Sequence, residues 1–186
     1  MSKKGSSVVL LLSGGIDSAA LLNFYIEQNE QVRCIHFNYG QPNKASELEA
    51  IKKISGHYGV KIEIINLSIP MSYRDDEVLC RNALFILSAA SSGLASNRIS
   101  IGIHADSPYY DASKNFIDDC QRILDGYFEG SLQIEAPFID YTKLDIIDYC
   151  KEHNVPIDIT YSCFRKNSPP CGECPSCLDR RLADEN

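Results

Sequence analysis

The sequence predicts an α/β fold in which a parallel sheet is covered by helices on both faces and is followed by a small cysteine-rich tail. Three observations carry this expectation. Short apolar runs of strand length alternate with longer segments of helical spacing, a Ser-Gly-Gly turn separates the first run from the first helical segment, and four of the eight cysteines cluster after residue 160.

Residues 8–12 form a continuous apolar run that ends at Ser13 and a glycine pair, and residues 19–26 then carry apolar side chains at helical spacing. The pattern repeats. Residues 32–37 read as a second strand, 45–58 as a helix ending near Gly56 and Gly59, and 61–67 as an alternating third strand. Residues 81–96, rich in Ala, Leu and Ser, predict a helix before a fourth strand over 99–103. Residues 111–124 and 143–153 read as further helices, with a weaker strand over 132–136 between them. Strands joined through helices need crossovers, which makes the sheet parallel and places ligands at its carboxyl edge. Ser13-Gly14-Gly15, Asn38-Tyr39-Gly40-Gln41 and His104-Ala105-Asp106 each follow an expected strand, so they should converge there.

The chain has no internal repeat or low-complexity tract, and its periodicity stops near Pro156. One domain over 1–160 and a tail over 161–186 packed on it is the expected division. With 186 residues, 44% of them hydrophobic, the chain can bury one ordinary core. Net charge is −7 and no basic run exceeds a pair, which argues against tight binding of bulk nucleic acid and favours a small-molecule or protein substrate. No apolar stretch is long enough to span a membrane, and Met1-Ser2-Lys3-Lys4-Gly5 leads straight into the first strand, so a cytoplasmic protein is expected. Cys34, Cys80, Cys120 and Cys150 stand singly in apolar segments and read as buried reduced thiols.

Residues 13–18 lie between a buried strand and a helix, where glycines let backbone N–H groups approach an anion and the helix N-terminus adds partial positive charge. The Lys-Ser/Thr ending of a Walker A loop is missing, which disfavours terminal phosphoryl transfer. The same residues would also suit an ordinary turn with Asp17 or Ser18 as a helix cap.

Cys163, Cys171, Cys174 and Cys177 give the spacing C-x7-C-x2-C-x2-C, with Gly172 after the second thiol and prolines at 169, 170 and 175. Four thiolates so spaced can surround a tetrahedral Zn²⁺. An iron–sulfur cluster uses similar ligands, and C-x-x-C units also serve sulfur transfer. A structural zinc is the expectation, because four filled positions leave no open site; the metal would then order the tail.

Residues 13–18, Ser-Gly-Gly-Ile-Asp-Ser, resemble the S-G-G-x-D-S signature of the PP-loop ATP-pyrophosphatase superfamily. The resemblance implies a Rossmann-like, adenine nucleotide alpha hydrolase-like fold, ATP cleaved between its α and β phosphates, and an adenylate as intermediate. Ser13, Gly14, Gly15, Asp17 and Ser18 would hold the pyrophosphate portion, and Asp17 is the nearby carboxylate for Mg²⁺.

Further segments extend the likeness over almost the whole chain to the 7-cyano-7-deazaguanine synthase family or a close paralogue. Phe37-Asn38-Tyr39-Gly40-Gln41 resembles its F-x-Y-G-Q segment and adds Asn38, Tyr39, Gly40 and Gln41 to the expected ATP site. Arg81-Asn82-Ala83-Leu84-Phe85 resembles its R-N-x-L-F helix, Thr142-Lys143 its T-K segment, Gly102 its strand-end G-V/I motif, and Tyr161-Ser162-Cys163 with the later cysteines its zinc tail. Family membership implies a homodimeric ATP-dependent C–N ligase of queuosine biosynthesis, releasing AMP and pyrophosphate. In its chemistry 7-carboxy-7-deazaguanine is adenylated, ammonia converts it to the amide, and a second activation dehydrates the amide to the nitrile.

Lys143 and Arg81 are candidates to stabilise charge beside Asp17, and Asn82, Gly102, Asp106, Tyr109 and Asp111 to line the substrate. Lys143 would otherwise be a solvated first-turn lysine, and Arg81 and Asn82 surface residues of a helix start. Asp111 could accept hydrogen bonds from an amidine-like ring edge, or cap the following helix. Tyr39 and Tyr109 could stack on a ring or simply pack. His36 and His104 flank the expected site and receive no role.

Two departures bear on the substrate. Where the family has S-G-Y-P-D-C-R, this chain has Ser107-Pro108-Tyr109-Tyr110-Asp111-Ala112-Ser113, and the segment between Leu67 and Arg81 is short. They leave room for an alternative enzyme that stops at an amide, joining a deazaguanine carboxylate to a protein N-terminus or another amine. A silent nucleotide- and zinc-binding module is a third reading, which the intact loop disfavours.

Overall fold

The computed structural model describes residues 6–74, 77–93 and 96–185. The expectation placed on residues 1–5 lies outside them, as do positions 94 and 95 of the helix expected over 81–96. Five strands, β1 (Ser7–Leu11), β2 (Gln31–Asn38), β3 (Ile62–Asn66), β6 (Arg98–Ile101) and β7 (Gln133–Glu135), form one sheet in the order β3-β2-β1-β6-β7. Every pairing in it is parallel. A two-stranded antiparallel ribbon, β4 (Tyr73–Arg74) with β5 (Glu77–Val78), stands apart and was not foreseen. Six α-helices complete the described residues: α1 (Ile16–Glu27), α2 (Lys44–Tyr58), α3 (Arg81–Ser91), α4 (Lys114–Phe128), α5 (Lys143–Glu152) and α6 (Pro175–Glu185). No helix among them is long and apolar enough to cross a membrane.

Strand β1 explains the layering. Successive residues of a strand point to opposite faces, so Val8, Leu10 and Leu12 enter one core with Leu22, Tyr25, Ile51, Ile54 and Ile146 of α1, α2 and α5. Val9 and Leu11 enter the other with Ile86, Ala89, Phe116 and Leu124 of α3 and α4. Each such large side chain contributes about 2 kcal/mol by leaving water. A central parallel strand covered on both faces reads as an unbroken apolar run for this reason.

The chain winds outward through β2 and β3 and then returns to the opposite side of β1 with β6. The strand order therefore reverses between β1 and β6, and their carboxyl ends open a crevice there. The far edge is tied by Tyr25, whose hydroxyl donates to Glu135 Oε2 at 2.6 Å, and by Arg98, paired with Glu135 at 2.6 Å and Glu30 at 2.5 Å.

Several boundaries differ from expectation. The helix expected from 111 starts at Lys114, because a 3₁₀ turn, Tyr110–Ala112, precedes it and Ser113 is its N-cap, accepting from the Phe116 amide at 3.2 Å. Asp111 is thus not the cap. The tail, expected to lack periodic structure, carries α6. Cys34, Cys120 and Cys150 are buried as expected, and burial pushes the Cys34 and Cys150 thiols up to about 12, keeping them protonated. Cys80 is a correction: it is exposed, at the N-cap of α3 with φ +59°, where the chain turns outward instead of packing.

Candidate active site

The carboxyl ends of β1, β2 and β6 and the starts of α1, α3, α5 and α6 surround a cavity of about 520 Å³. Its floor is the loop of residues 13–15. Gly14 has φ +94°, and a Cβ there would meet Ile51 Cγ2 at 3.2 Å, Ala50 Cβ at 3.3 Å and the Glu47 carbonyl oxygen at 3.3 Å. Only glycine lets α2 lie so close to the turn. Ser18 Oγ donates to the Gly15 carbonyl at 3.0 Å and lies 3.1 Å from Ser13 Oγ, which closes the loop on the first turn of α1. The amides of that turn have no partner within the helix and form an anion-binding end.

Gly102 packs from the other side. A Cβ on it would lie 3.1 Å from the Asp17 carbonyl carbon and 3.2 Å from the Ser18 nitrogen, so the end of β6 touches the backbone of α1. Asp17, thus placed, forms an ion pair with Lys143 Nζ. Lys143 is only 5% exposed, which removes the reading of it as a solvated helix-start residue. Thr142 and Asp145 make a capping box that starts α5 at Lys143, and the Lys143 amide donates to Asp106 Oδ2 at 2.7 Å. Asp179 of α6 joins this charge cluster: burial pushes its carboxyl up, Lys143 and His104 act against that, and Asp17 and Asp106 add to it.

The opposite wall is built by α3 and the turn before α4. Asn82 and Asp111 are each 7% exposed; the Asn82 amide donates to Asp111 Oδ2 at 3.3 Å, and Asn82 Nδ2 donates to the Asp111 carbonyl at 2.8 Å. Asn82 is therefore a wall residue and not part of an exposed surface. Arg81, half-buried, lines the same cavity. Phe85 stacks on Phe37 at 4.5 Å and meets the Tyr39 ring at 5.4 Å, giving an aromatic side to the cavity.

Of the sequence-predicted residues, Ser13, Gly15, Asp17, Ser18, Tyr39, Arg81, Asn82, Gly102, Asp106, Tyr109, Asp111 and Lys143 line this cavity. Gly14 sits beneath it. Asn38, Gly40 and Gln41 do not line it. Asn38 bonds across the sheet edge to Asn66, Gly40 makes an exposed turn at φ +83°, and Gln41 is 4% exposed, stapling the loop from within. Its Oε1 accepts from the Tyr39 amide at 2.9 Å, while its Nε2 donates to Glu47 Oε2 at 2.7 Å and to the Phe37 carbonyl at 3.2 Å. Sequence reasoning missed Glu47, Asp179 and Arg180 as wall residues.

The sulfurs of Cys163, Cys171, Cys174 and Cys177 all lie within 4.8 Å of one another, as a shared tetrahedral metal requires. Burial acts against ionisation of Cys163, yet backbone amides of Cys171, Lys166 and Arg165 hold its thiol below the usual range. Amides of Glu173 and Cys174 do the same for Cys171, whereas burial raises Cys174 and Cys177, whose protons a metal would displace. The cysteine-bearing segment is bonded to the rest of the molecule. Asn43 Nδ2 donates to the Cys163 carbonyl at 2.8 Å, Ser46 N to Asn167 Oδ1 at 3.1 Å, and Arg180 Nη1 to Thr160 Oγ1 at 2.7 Å.

A parallel sheet reversing beside β1, with a glycine-rich anion loop at that point, defines an adenine nucleotide alpha hydrolase-like protein of the PP-loop type. Solved structures agree on the fold. A 4-thiouridine synthetase in complex with RNA and ATP superposes with a TM-score of 0.56 at 16% identity, over 97% of this chain and 50% of that one. An NH3-dependent NAD synthetase from Campylobacter jejuni gives a TM-score of 0.52 at 19% identity, over 85% and 68%. The family model described as "Queuosine biosynthesis protein QueC" matches residues 7–79 and 70–186. The 7-cyano-7-deazaguanine synthases of Aquifex aeolicus and Sulfurihydrogenibium sp. are each 34% identical, over 97% of this chain and 97% and 95% of theirs. The chain belongs to the QueC family. The two matched stretches overlap at residues 70–79, between β3 and α3.

Proposed function

We propose that this chain is an ATP-dependent 7-cyano-7-deazaguanine synthase, and that the cavity between the phosphate loop and Asp111 is its active site. The observation that carries the reading is the ion pair of buried Lys143 with partly exposed Asp17, which sets a cation and a carboxylate beside the glycine loop and across the cavity from buried Asp111. A carboxylate oxygen of 7-carboxy-7-deazaguanine attacks the α-phosphorus of ATP, and pyrophosphate leaves. Ammonia attacks the acyl carbon and expels AMP to give the amide. The amide oxygen attacks a second ATP, pyrophosphate leaves again, and loss of AMP with the remaining N–H protons forms the nitrile.

The loop backbone, Ser13 and Ser18 hold the leaving pyrophosphate, and Lys143 and Arg81 offset negative charge growing at the α-phosphate. Asp17 is suited to Mg²⁺, which would neutralise the pyrophosphate when bound. Asp111 accepts from the amidine-like edge of the heterocycle, Asn82 holds Asp111, and Tyr39 and Tyr109 flank the ring. The four thiols suit a structural Zn²⁺ with no part in the reaction. We divide the chain into a catalytic domain, 1–160, and a metal-tied tail, 161–186. A homodimer in the cytoplasm fits the family and the free thiols.

The amide-forming alternative drew on the changed residues at 107–113. Asp111 nevertheless keeps a buried place in the wall, and the relatives named above carry the synthase name, which supports the nitrile-forming reading. Incubation with ATP, 7-carboxy-7-deazaguanine and ammonium, followed by product mass, tests it. The nitrile mass is expected. Release of AMP only when a protein amine is also supplied would favour the alternative, and no pyrophosphate in either case would remove both.

A further inference from the structure

Arg180 lines the cavity from α6, and both of its terminal nitrogens are engaged by the chain just before the cysteines. Nη1 donates to the Thr160 carbonyl at 3.1 Å and to Thr160 Oγ1 at 2.7 Å, and Nη2 donates to the Ile157 carbonyl at 2.9 Å. These acceptors belong to the 3₁₀ turn Ile157–Ile159 and the residue after it. Thr160 is buried, and its hydroxyl gives its own proton to the Ile157 carbonyl at 2.6 Å. A hydroxyl accepts while it donates, so one planar guanidinium fork fixes two carbonyls and a hydroxyl at once.

The next residue meets the glycine loop. The Tyr161 amide donates to the Gly14 carbonyl, and the Tyr161 carbonyl oxygen lies 3.7 Å from where a Cβ on Gly15 would stand. The Tyr161 hydroxyl donates to the Lys166 carbonyl at 2.8 Å, inside the stretch between the first two clustered cysteines. Arg180 follows Cys177 by three positions, which puts the two on one side of α6. Helix α6 is thus set at Cys177 by the thiol cluster, and its next turn carries the donors that hold residues 157–160. Hydrogen bonds from a charged donor are roughly twice as strong as neutral ones, so this is a firm link between α6 and the chain that touches the loop.

We propose that Arg180 is a positioning residue for the glycine loop: its guanidinium fixes the Ile157 and Thr160 carbonyls and, through Tyr161, the place of the Gly14 carbonyl and of the amides beside it. The consequence for ATP rests on the nucleotide reading above; the hold on Tyr161 does not. Without the guanidinium the Thr160 carbonyl loses a charged donor, and residue 161 is released to drift from Gly14.

Two measurements test it in the natural protein and in Arg180→Ala. Hydrogen exchange of the Tyr161 amide should quicken about tenfold in the variant, the weight of one hydrogen bond to a charged group. The Gln133 amide, bonded to the Asn97 carbonyl at 2.8 Å at the β7 edge, should exchange at its natural rate. Millimolar guanidinium, which refills the space left by the truncated side chain, should slow Tyr161 again. ATP affinity, followed by calorimetry, should fall about tenfold and recover with the same addition. Tyr161 unchanged, Tyr161 and Gln133 quickened together, or no recovery with guanidinium each overturn the proposal. So does a quickened Tyr161 with undiminished ATP affinity. If Arg180→Ala does not fold, Arg180→Lys, which keeps the charge without the fork, is compared by Tyr161 exchange and ATP affinity alone. A natural protein that binds no ATP, with Tyr161 still responding to the loss of Arg180, would support the hold and count against the nucleotide reading instead.

Discussion

The backbone amide of Tyr161 donates to the carbonyl oxygen of Gly14 at 2.9 Å. The first residue of the cysteine tail is thereby bonded to the middle of the glycine loop after β1, two residues before the first cysteine of the cluster. Asn43 adds a second link by donating both to the Cys163 carbonyl and to Glu47. Order in the tail and order in the loop are coupled through these contacts.

A metal held by the four thiols would order the tail, and its removal should therefore weaken nucleotide binding as well as stability. Dialysis against a strong chelator is expected to raise the dissociation constant for ATP about tenfold and to lower the melting temperature, with recovery on adding Zn²⁺. Calorimetry on stripped and reloaded protein checks both. Unchanged ATP affinity in stripped protein would show that the links transmit nothing.

Lys143→Met leaves the Asp17 carboxylate facing an apolar chain and removes the cation next to the loop. AMP formation should fall roughly a hundredfold or more. Asp17→Asn should abolish AMP formation while circular dichroism stays native. If both variants turn over at the natural rate, the pair has no part in the chemistry.

Gly14→Ala meets two penalties, a positive φ and three atoms at 3.2–3.3 Å. A loss of about 2 kcal/mol is expected from urea unfolding. Gly56→Ala is the control: nothing lies within 4 Å of its added carbon, and it sits within α2, so it should not destabilise the fold.

Acid should expose the far-edge network. Burial acts to raise the Glu135 carboxyl, but hydrogen bonds from Arg98 and Tyr25 prevail and hold it below its usual range. A carboxyl lowered in the folded state contributes stability above its unfolded value of about 4.3 and loses it as pH falls through the lower folded value. Urea midpoints should thus drop between about pH 5 and pH 3, and Glu135→Gln should drop less over that window. Equal slopes for the two proteins would contradict the assignment.

The parts of this molecule that were legible in the sequence are those whose cause is local. The unbroken apolar run of β1, the glycine pair after it and the Thr142-Lys143 helix start each carry their reason within a few residues, and each landed where expected. Helix α6 was hidden because its first turn holds Pro175, Ser176 and the metal-type Cys177, and five of the eight residues that follow are charged. The role of Glu47 was hidden for another reason. Its partners His36, Gln41 and Asn43 belong to other elements or turns, and Asn43 reaches Cys163 across 120 positions of chain. Cys80 misled because an isolated cysteine in an apolar stretch is normally interior, whereas a left-handed helix start turns its side chain outward.

Strand β1 feeds two cores with alternate residues, and this has a mechanical outcome for the loop it carries. Sliding β1 by one position would exchange Val8 and Leu10 for Val9 and Leu11, so both layers would misfit together. The glycine loop is anchored to a ratchet without intermediate notches. Inserting or deleting a single residue within β1 should therefore cost the fold itself.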